Sequence, residues 1–432
     1  MFEKIASLAK RRGFIYPGSE IYGGLAGTWD YGPLGVELKR NIKNEFWKNM
    51  VREREHIVGL DAAIIMNPKV WAASGHLESF SDPLVECKKC HKRFRPDEIQ
   101  NSQCPDCGGG LTEPKQFNLM METYLGVIEG EKLKTYLRGE ITQGVHVNFK
   151  NVLDSARVRL PFGIAQIGKA FRNEITPGGF TFRSREFEQM ELQYYVKPDK
   201  KESMKWLEYW KEERLKWYED LGMDKKKFRF KEHGKDELAH YARAAFDIEY
   251  HIGDEWKEME GIHHRGDWDL RRHQEFSKQD LTYFDEETKE RFLPFIIETS
   301  GGVDRAALFF LMDAYREEEV KEGETRIVLK LHPRIAPYKA AVFPLLANKP
   351  RLAEVAEKIY KDLKKEWFVA WDARGNIGKR YYSQDEIGTP FCITVDFESL
   401  EKDDVTVRDR DTMEQERVKI NNLGDYLKNK LQ

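Results

Sequence analysis

The sequence predicts an α+β protein: a large domain over residues 1–325 built around antiparallel strands, a small insertion at about 84–115 within it, and an α/β domain over residues 326–432. Three observations predict this. The stretch "FRNEITPGGFTFRSREFEQMEL" sets two alternating runs about a Pro-Gly-Gly turn, as a β-hairpin requires. Two CxxC pairs, "CKKC" and "CPDC", stand thirteen residues apart. Beyond the charged stretch "REEEVKEGETR", read as a solvated linker, the segments "KAAVFPLL", a charged helix, "EWFVAWD" and "FCITVDF" alternate in β-α-β fashion. At 432 residues and 40% hydrophobic, the chain can bury a core in each of two or three domains.

Along the chain, "GVELKRNIKNEFWKNMVRERE" carries a helical apolar stripe, and "HIVGLDAAIIMNP" reads as a strand ending at Pro68. "GVHVNFKNV" is strand-like by its alternation. "ESMKWLEYWKEERLKWYEDL" spaces Trp206, Trp210 and Trp217 as a helix that packs aromatics on a core and solvates its charges. "LPFIIETSGG" is an apolar strand entering a Gly pair, and "VDRAALFFLMDAY" continues as a helix. No repeat or low-complexity tract is evident.

A net charge of −3 with 34% charged residues gives no overall cationic field, so any nucleic-acid contact must come from local basic patches. The first twenty residues lack the apolar run of a signal peptide and no segment approaches a membrane span, so a soluble cytoplasmic protein is expected. Cys392, in "TPFCITVDF", reads as a buried strand residue.

The charge on the hairpin raises the functional question. In an extended strand alternate residues share a face, so Arg183, Arg185, Phe187, Gln189 and Glu191 line one side, and Arg172 and Glu174 share a face of the first strand. Guanidinium forks suit phosphate oxygens, an aromatic face stacks on a base, and carboxylates hold an ammonium. ATP and an amino acid meet those needs in order; a solvent-facing strand with cross-strand ion pairs meets them equally on alternation alone.

The four cysteines of the insertion, Cys87, Cys90, Cys104 and Cys107, have the spacing of a tetrahedral Cys₄ zinc site. Four thiolates fill the coordination sphere, so a structural Zn²⁺ is expected, with a redox CxxC as the alternative. His91 is expected to be exposed. Lys88, Lys89, His91, Lys92, Arg93 and Arg95 add positive charge that suits either an RNA stem or solvent.

Phe171, Arg172, Glu174 and Arg183 or Arg185 resemble motif 2 of the class II aminoacyl-tRNA synthetases. "ETSGGVDRA", with Arg305 in the first helical turn, resembles motif 3, and the helix-strand-Pro arrangement at Pro68 resembles motif 1, usually a dimer-interface element. "GFIYPGSEIYGGLAGTWDYGPLG", "NPKVWAASGH", "FNLM", "QGVHVNFKNV", "KDELAHYA", "DIEY" and "QDEIGTPFCITVDF" are, in order, similar to glycyl-tRNA synthetases of the single-polypeptide, homodimeric type, and cover nearly the whole chain.

The resemblance implies an antiparallel catalytic sheet, a C-terminal α/β anticodon-binding domain, and tRNA(Gly), glycine, ATP and Mg²⁺ as partners. It implies catalytic roles for Arg172, Glu174 and Arg305: Arg172 at the α-phosphate and the attacking carboxylate, Arg305 at the adenine or γ-phosphate. Phe187 would stack on adenine. Asn173, Phe182, Arg183, Ser184, Arg185, Glu186, Glu258, Met259, Gly302, Val303 and Asp304 complete the implied ATP site, with Glu258 and Glu298 as Mg²⁺ partners. The implied glycine pocket takes Arg95, Glu140, Phe187, Glu188, Gln189, Met190, Glu191, Glu298, Ser300 and Gly302.

Such a pocket excludes larger amino acids by size, so no editing domain is needed. The chain departs from the family at "RGEITQG", where "RPETAQG" is common: Gly139 replaces proline and Thr142 alanine, which predicts a less rigid loop around Glu140. In the C-terminal domain Arg374, Lys379, Arg380, Tyr381 and Tyr382 interleave bases with aromatics. Two other readings stand beside this one: a nucleic-acid-binding module on the same scaffold, which would not need the ATP residues, and a synthetase for another small amino acid.

Overall fold

A computed structural model describes every residue except 97, 98, 100, 101, 129, 235–241, 322 and 432, and leaves the side chains of 321 and 324 undescribed. Most of "KDELAHYA" therefore lies outside the described residues. Alternation of apolar and polar residues produces a seven-stranded sheet: β1 Ile57–Gly59, β2 Phe162–Phe171, β3 Glu186–Val196, β4 Phe228–Glu232, β5 Ala244–Ile252, β6 Glu255–Gly266 and β7 Phe295–Gly302. Their order across the sheet is β4-β5-β6-β7-β3-β2-β1. Every pairing is antiparallel except β1 with β2.

The two faces of β3 show how the sheet is used. Met190, Leu192, Tyr194 and Val196 enter the main core, where they meet the helices Pro33–Trp47, Lys200–Asp220 and Val303–Ala314. Tyr195, on the opposite face, packs in a second core with Val145, Phe149, Phe162 and Leu270. Between Tyr195 and the strand's start, that second face carries Gln193, Glu191, Gln189 and Phe187 instead of aliphatic groups. Period-2 geometry thus separates a packed face from a functional one. As expected, Trp210 and Trp217 are buried on the first face.

Local predictions fail in three places. "GVHVNFKNV" is helical, in Thr142–Val147 and Phe149–Ala156. Its buried Val145, Phe149 and Val152 recur at i, i+4 and i+7, a helical stripe that short-range alternation conceals. The strand of "HIVGLDAAIIMNP" ends at Gly59, and Pro68 opens the helix Pro68–Ala73, with Asn67 Oδ1 accepting from the Lys69 N–H at 3.0 Å. The charged "REEEVKEGETR" is a hairpin rather than a linker: Tyr315–Lys321 pairs with Glu324–Leu329, and Glu318 binds Arg326 at 2.6 Å. This hairpin straddles residue 325.

The five-stranded C-terminal sheet runs in the order Val369–Trp371, Ala340–Pro344, Phe391–Val395, Asp404–Asp409, Gln415–Lys419. Its first two pairings are parallel and its last two antiparallel. Cys392 is buried within it. Among the described residues no helix is long and apolar enough to cross a membrane.

One buried charge cluster ties helix to sheet. Arg214, fully buried on Lys200–Asp220, donates from Nε and Nη2 to Glu260 of β6 at 2.6 and 2.9 Å, and Tyr218 Oη donates to the same carboxylate at 2.6 Å. Removing one member strands the other's charge in the core. Arg214→Ala should therefore lower unfolding free energy by about 3–5 kcal/mol, read by urea denaturation; a loss below 1 kcal/mol would show that solvent reaches the pair.

Candidate active site

The 430 Å³ cleft that opens over the functional face of β3, β6 and β7 is polar. Arg172 lines it, just past the end of β2. Its Nε donates to the Gly139 carbonyl at 3.1 Å, and its guanidinium lies 5.1 and 5.3 Å from the rings of Phe80 and Phe187. One backbone anchor and two aromatic faces fix the group, while its Nη atoms make no other hydrogen bond among the described residues. The result is an oriented cation facing the cleft.

On the far wall Arg305, in the first turn after Gly302, donates to Glu258 Oε1 at 2.7 Å and lies 4.6 Å from the Phe182 ring. Arg305 holds the Glu258 carboxyl below its usual range. Burial pushes Glu174 up, although Arg172 and Arg183 oppose it. Arg95, Arg183, Ser184, Gln189 and Ser300 also line the cleft, with Arg95 bound to Asp82 at 2.6 Å. Asp304 lines it too, and ties the Glu188 N–H and Lys39 together.

Under this cleft lies a buried row. Antiparallel register sets Glu191 opposite Ser300 and Gly261, and Gln193 opposite Glu298 and His263. Ser300 Oγ donates to Glu191 Oε1 at 2.7 Å. Glu298 receives Arg265 Nη1 at 3.0 Å, His263 lies 2.7 Å away, and Arg265 also forks onto Asp269 at 2.8 and 2.9 Å. Glu140 accepts from Gln143 at 3.0 Å and lies 3.3 Å from His76.

These carboxylates titrate apart. Burial opposes ionisation of Glu298 and Glu140, but Arg265 and His263 outweigh it at Glu298, and His76 and Arg265 at Glu140; both fall. Glu191 has no ion-pair partner among the described residues. Burial, with the charges of Glu298 and Glu140, raises it to about 8.

The predicted residues thus divide. The cleft gathers Arg95, Arg172, Glu174, Phe182, Arg183, Ser184, Phe187, Glu188, Gln189, Glu258, Ser300, Gly302, Asp304 and Arg305. Glu140, Glu191 and Glu298 are buried behind this lining, Glu191 bonded to it through Ser300 and Gln189. Asn173, Arg185, Glu186, Met190, Met259 and Val303 do not line the cleft. Arg183 and Arg185 precede β3 rather than belonging to it, so strand alternation does not place them; Arg185 spans the Ala26 and Glu174 carbonyls. Asn173 is exposed, and Glu186 is exposed and paired with Lys169. Glu188 lines the cleft with its carboxylate held by Lys39 and Lys43 at 2.8 Å. Met190, Met259 and Val303 are core residues.

The "RGEITQG" loop is pinned rather than slack. Arg138 donates to the Lys169 and Ala62 carbonyls, Gln166 donates to Ile141 O, and a Cβ on Gly139 would meet Phe80 at 2.8 Å. His76, His263, Arg265 and Asp269 were not anticipated. Only the i,i+4 spacing of Arg265 and Asp269 carried a local signal, and ordinary helix pairs share it.

The insertion brings the four cysteine Sγ atoms within 4.8 Å of one another, with Cys87–Cys107 at 3.5 Å and Cys90–Cys104 at 3.6 Å. Ligands around tetrahedral Zn²⁺ at ~2.3 Å leave sulfurs roughly 3.8 Å apart, so this set fits the ion. N–H groups of Cys90 and Lys89 point at Cys87 Sγ and pull its thiol down to about 6. His91 is exposed and bound to Glu86. Much of the local basic charge is already paired, Lys92 with Asp106 and Arg93 with Glu86. In the C-terminal domain Arg374 and Lys379 are exposed, whereas buried Arg380 caps the Pro344 carbonyl and Tyr381 bonds Thr394, so the latter two serve the fold.

Comparison with known proteins agrees with this geometry. Residues 127–314 match the family described as tRNA synthetase class II core domain (G, H, P, S and T), and residues 339–430 match the anticodon binding domain family. Sheet and cleft are therefore those of a class II synthetase. The glycine–tRNA ligase of Geobacillus kaustophilus is 52% identical, aligned over 99% of this chain and 98% of its own length. That of Borreliella burgdorferi is also 52% identical, over 99% and 97%. The chain belongs to the glycine–tRNA ligase family.

Chelation of the metal should leave the main sheet folded but raise protease cleavage and amide exchange in residues 84–115. Unchanged exchange there in metal-free protein would contradict a structural zinc.

Proposed function

We propose that this chain activates glycine with ATP and transfers it to the 3′ end of tRNA(Gly), with the cleft holding the nucleotide and the buried row holding the amino acid. The observation that carries this reading is Arg172, an oriented cation against two aromatic rings in a polar cleft whose Ser300 and Gln189 bond the buried Glu191. Glycine's ammonium group binds at Glu191 and Ser300, with Glu140 and Glu298 supplying negative potential. Its carboxylate then points up towards Arg172.

One carboxylate oxygen attacks the α-phosphorus, the bond to the bridging oxygen breaks, and pyrophosphate leaves. Arg172 balances the charge that builds on the α-phosphate oxygens. A ribose hydroxyl of the terminal adenosine of tRNA next attacks the carbonyl carbon, and AMP departs. No covalent enzyme intermediate forms, so rate comes from positioning and charge. Phe187 and the Phe182–Arg305 pair offer faces for adenine or phosphate. Glu258, half exposed on the wall, is the carboxylate that would hold Mg²⁺, which supplies further neutralisation of phosphate charge. Both oxygens of Glu298 are engaged by cations and amides, which disfavours it as a metal ligand.

Residues 326–432 would read the anticodon while residues 1–325 carry the chemistry, and two chains would form a homodimer as the family resemblance implies. Arg172→Ala should lower glycine-dependent ATP–pyrophosphate exchange by on the order of 10²–10³-fold with an unchanged thermal midpoint. A folded variant with near wild-type exchange would refute the role of Arg172.

A further inference from the structure

Lys39, on the helix Pro33–Trp47, is buried, which is rare for a lysine unless it is paired. Its Nζ lies 2.8 Å from Asp304 Oδ1, 2.8 Å from Glu188 Oε2 and 4.1 Å from the centre of the Tyr31 ring. Lys43, one helical turn on, lies 2.8 Å from Glu188 Oε1. Asp304 accepts the Glu188 N–H at 2.6 Å with its second oxygen. Two carboxylates and two ammonium groups thus close a neutral cluster that ties β3 to the start of the helix Val303–Ala314. Burial opposes the charge on Lys39, but Asp304 and Glu188 outweigh it and keep the group an ammonium ion.

The cluster sits at the wall of the cleft. Glu188 and Asp304 both line it, and with Lys39 they also line a 320 Å³ cavity that shares Ser184 and Phe187 with the cleft. Phe187 directly precedes Glu188, and Arg305 directly follows Asp304. Lys39 therefore holds together the two segments that present Phe187 and Arg305. Its own helix is anchored from the other side. Residues two apart on a helix lie roughly 200° apart, and Asn41 Nδ2 donates to the Ile335 and Ala336 carbonyls at 3.3 and 3.0 Å, while Arg334 donates to Glu45 at 3.1 Å.

Resting on the reading that this cleft holds ATP, we propose that Lys39, assisted by Lys43, is a positioning residue for the nucleotide: it neutralises the two wall carboxylates and locks Phe187 and Arg305 at a fixed separation without itself touching substrate. Without that ammonium group Asp304 keeps a full negative charge on a surface that must accept a polyphosphate, and like charges in a partly desolvated cleft repel. The strand and the helix start are then joined by the Glu188 N–H alone. Among the described residues no hydrogen bond or ion pair joins Lys39 or Lys43 to Glu191 or Ser300, so the defect falls on ATP and spares glycine.

Glycine-dependent ATP–pyrophosphate exchange by the full-length protein, with ATP and glycine varied separately, tests this. Lys39→Met should raise the KM for ATP on the order of tenfold, with the KM for glycine at saturating ATP unchanged. Lys39→Arg keeps the cation and should stay near wild type. Adding Asp304→Asn to Lys39→Met should recover much of the loss, because an amide oxygen still accepts the Glu188 N–H and leaves no charge behind. A Lys39→Met variant whose KM for ATP matches wild type, whose two KM values rise together, or whose loss neither second variant relieves overturns the role of Lys39 and leaves the cleft assignment standing. Absence of exchange by the wild type overturns both. Should Lys39→Met not fold, Lys43→Met decides, since that side chain is partly exposed: a raised KM for ATP supports the neutralised wall, and an unchanged one refutes it.

Discussion

A buried carboxylate without a cation is the constraint on which the rest of this site depends. Charge in a protein interior is costly unless matched. The floor of the cleft resolves this unevenly: Arg265 serves both Glu298 and Asp269, and His76 stands beside Glu140, while Glu191 is left with neutral donors. On the proposed reading, an ammonium ion of small volume completes that set. On the same reading, selectivity for glycine comes from the neutral groups around Glu191, because the ligand has no side chain to grip.

Sheet register converts this electrostatic requirement into geometry. Glu191, Ser300 and Gly261 lie abreast on three adjacent antiparallel strands, stepping from a carboxylate to a hydroxyl to a position with no side chain. Even-numbered neighbours on β3 anchor the same strand in the aliphatic core. A one-residue slip would exchange the two sets, so core packing also protects the site. Arg172 is held by the carbonyl of Gly139, so the proposed phosphate end depends on the loop that carries Glu140 and Thr142. The proposed nucleotide and amino-acid ends are thereby joined through one segment.

Much of this was legible in sequence. The alternation of Phe187, Gln189 and Glu191 survives as one face of β3, the Gly pair before Arg305 delivers that arginine to the cleft, and the CxxC pairs converge. Each of these signals is local, set by a strand period, a helix start or a knuckle. What sequence concealed is non-local or ambiguous at short range. His76, the β6 residues His263 and Arg265, and Asp269 come from three elements, and their meeting requires the sheet. Arg185 lies in an irregular connection where no period applies, and it spends its guanidinium on two carbonyls. "GVHVNFKNV" satisfies both periods over a few residues, and only its packing on Phe162 and Tyr195 selects the helix.

The central claim is that a small, carboxylate-lined pocket beneath an ATP cleft selects glycine. Amino-acid-dependent exchange of pyrophosphate into ATP across glycine, alanine and serine tests it most directly. Strong exchange with glycine and background exchange with the other two is the expected result; exchange led by alanine or serine, or none with any amino acid, would contradict it.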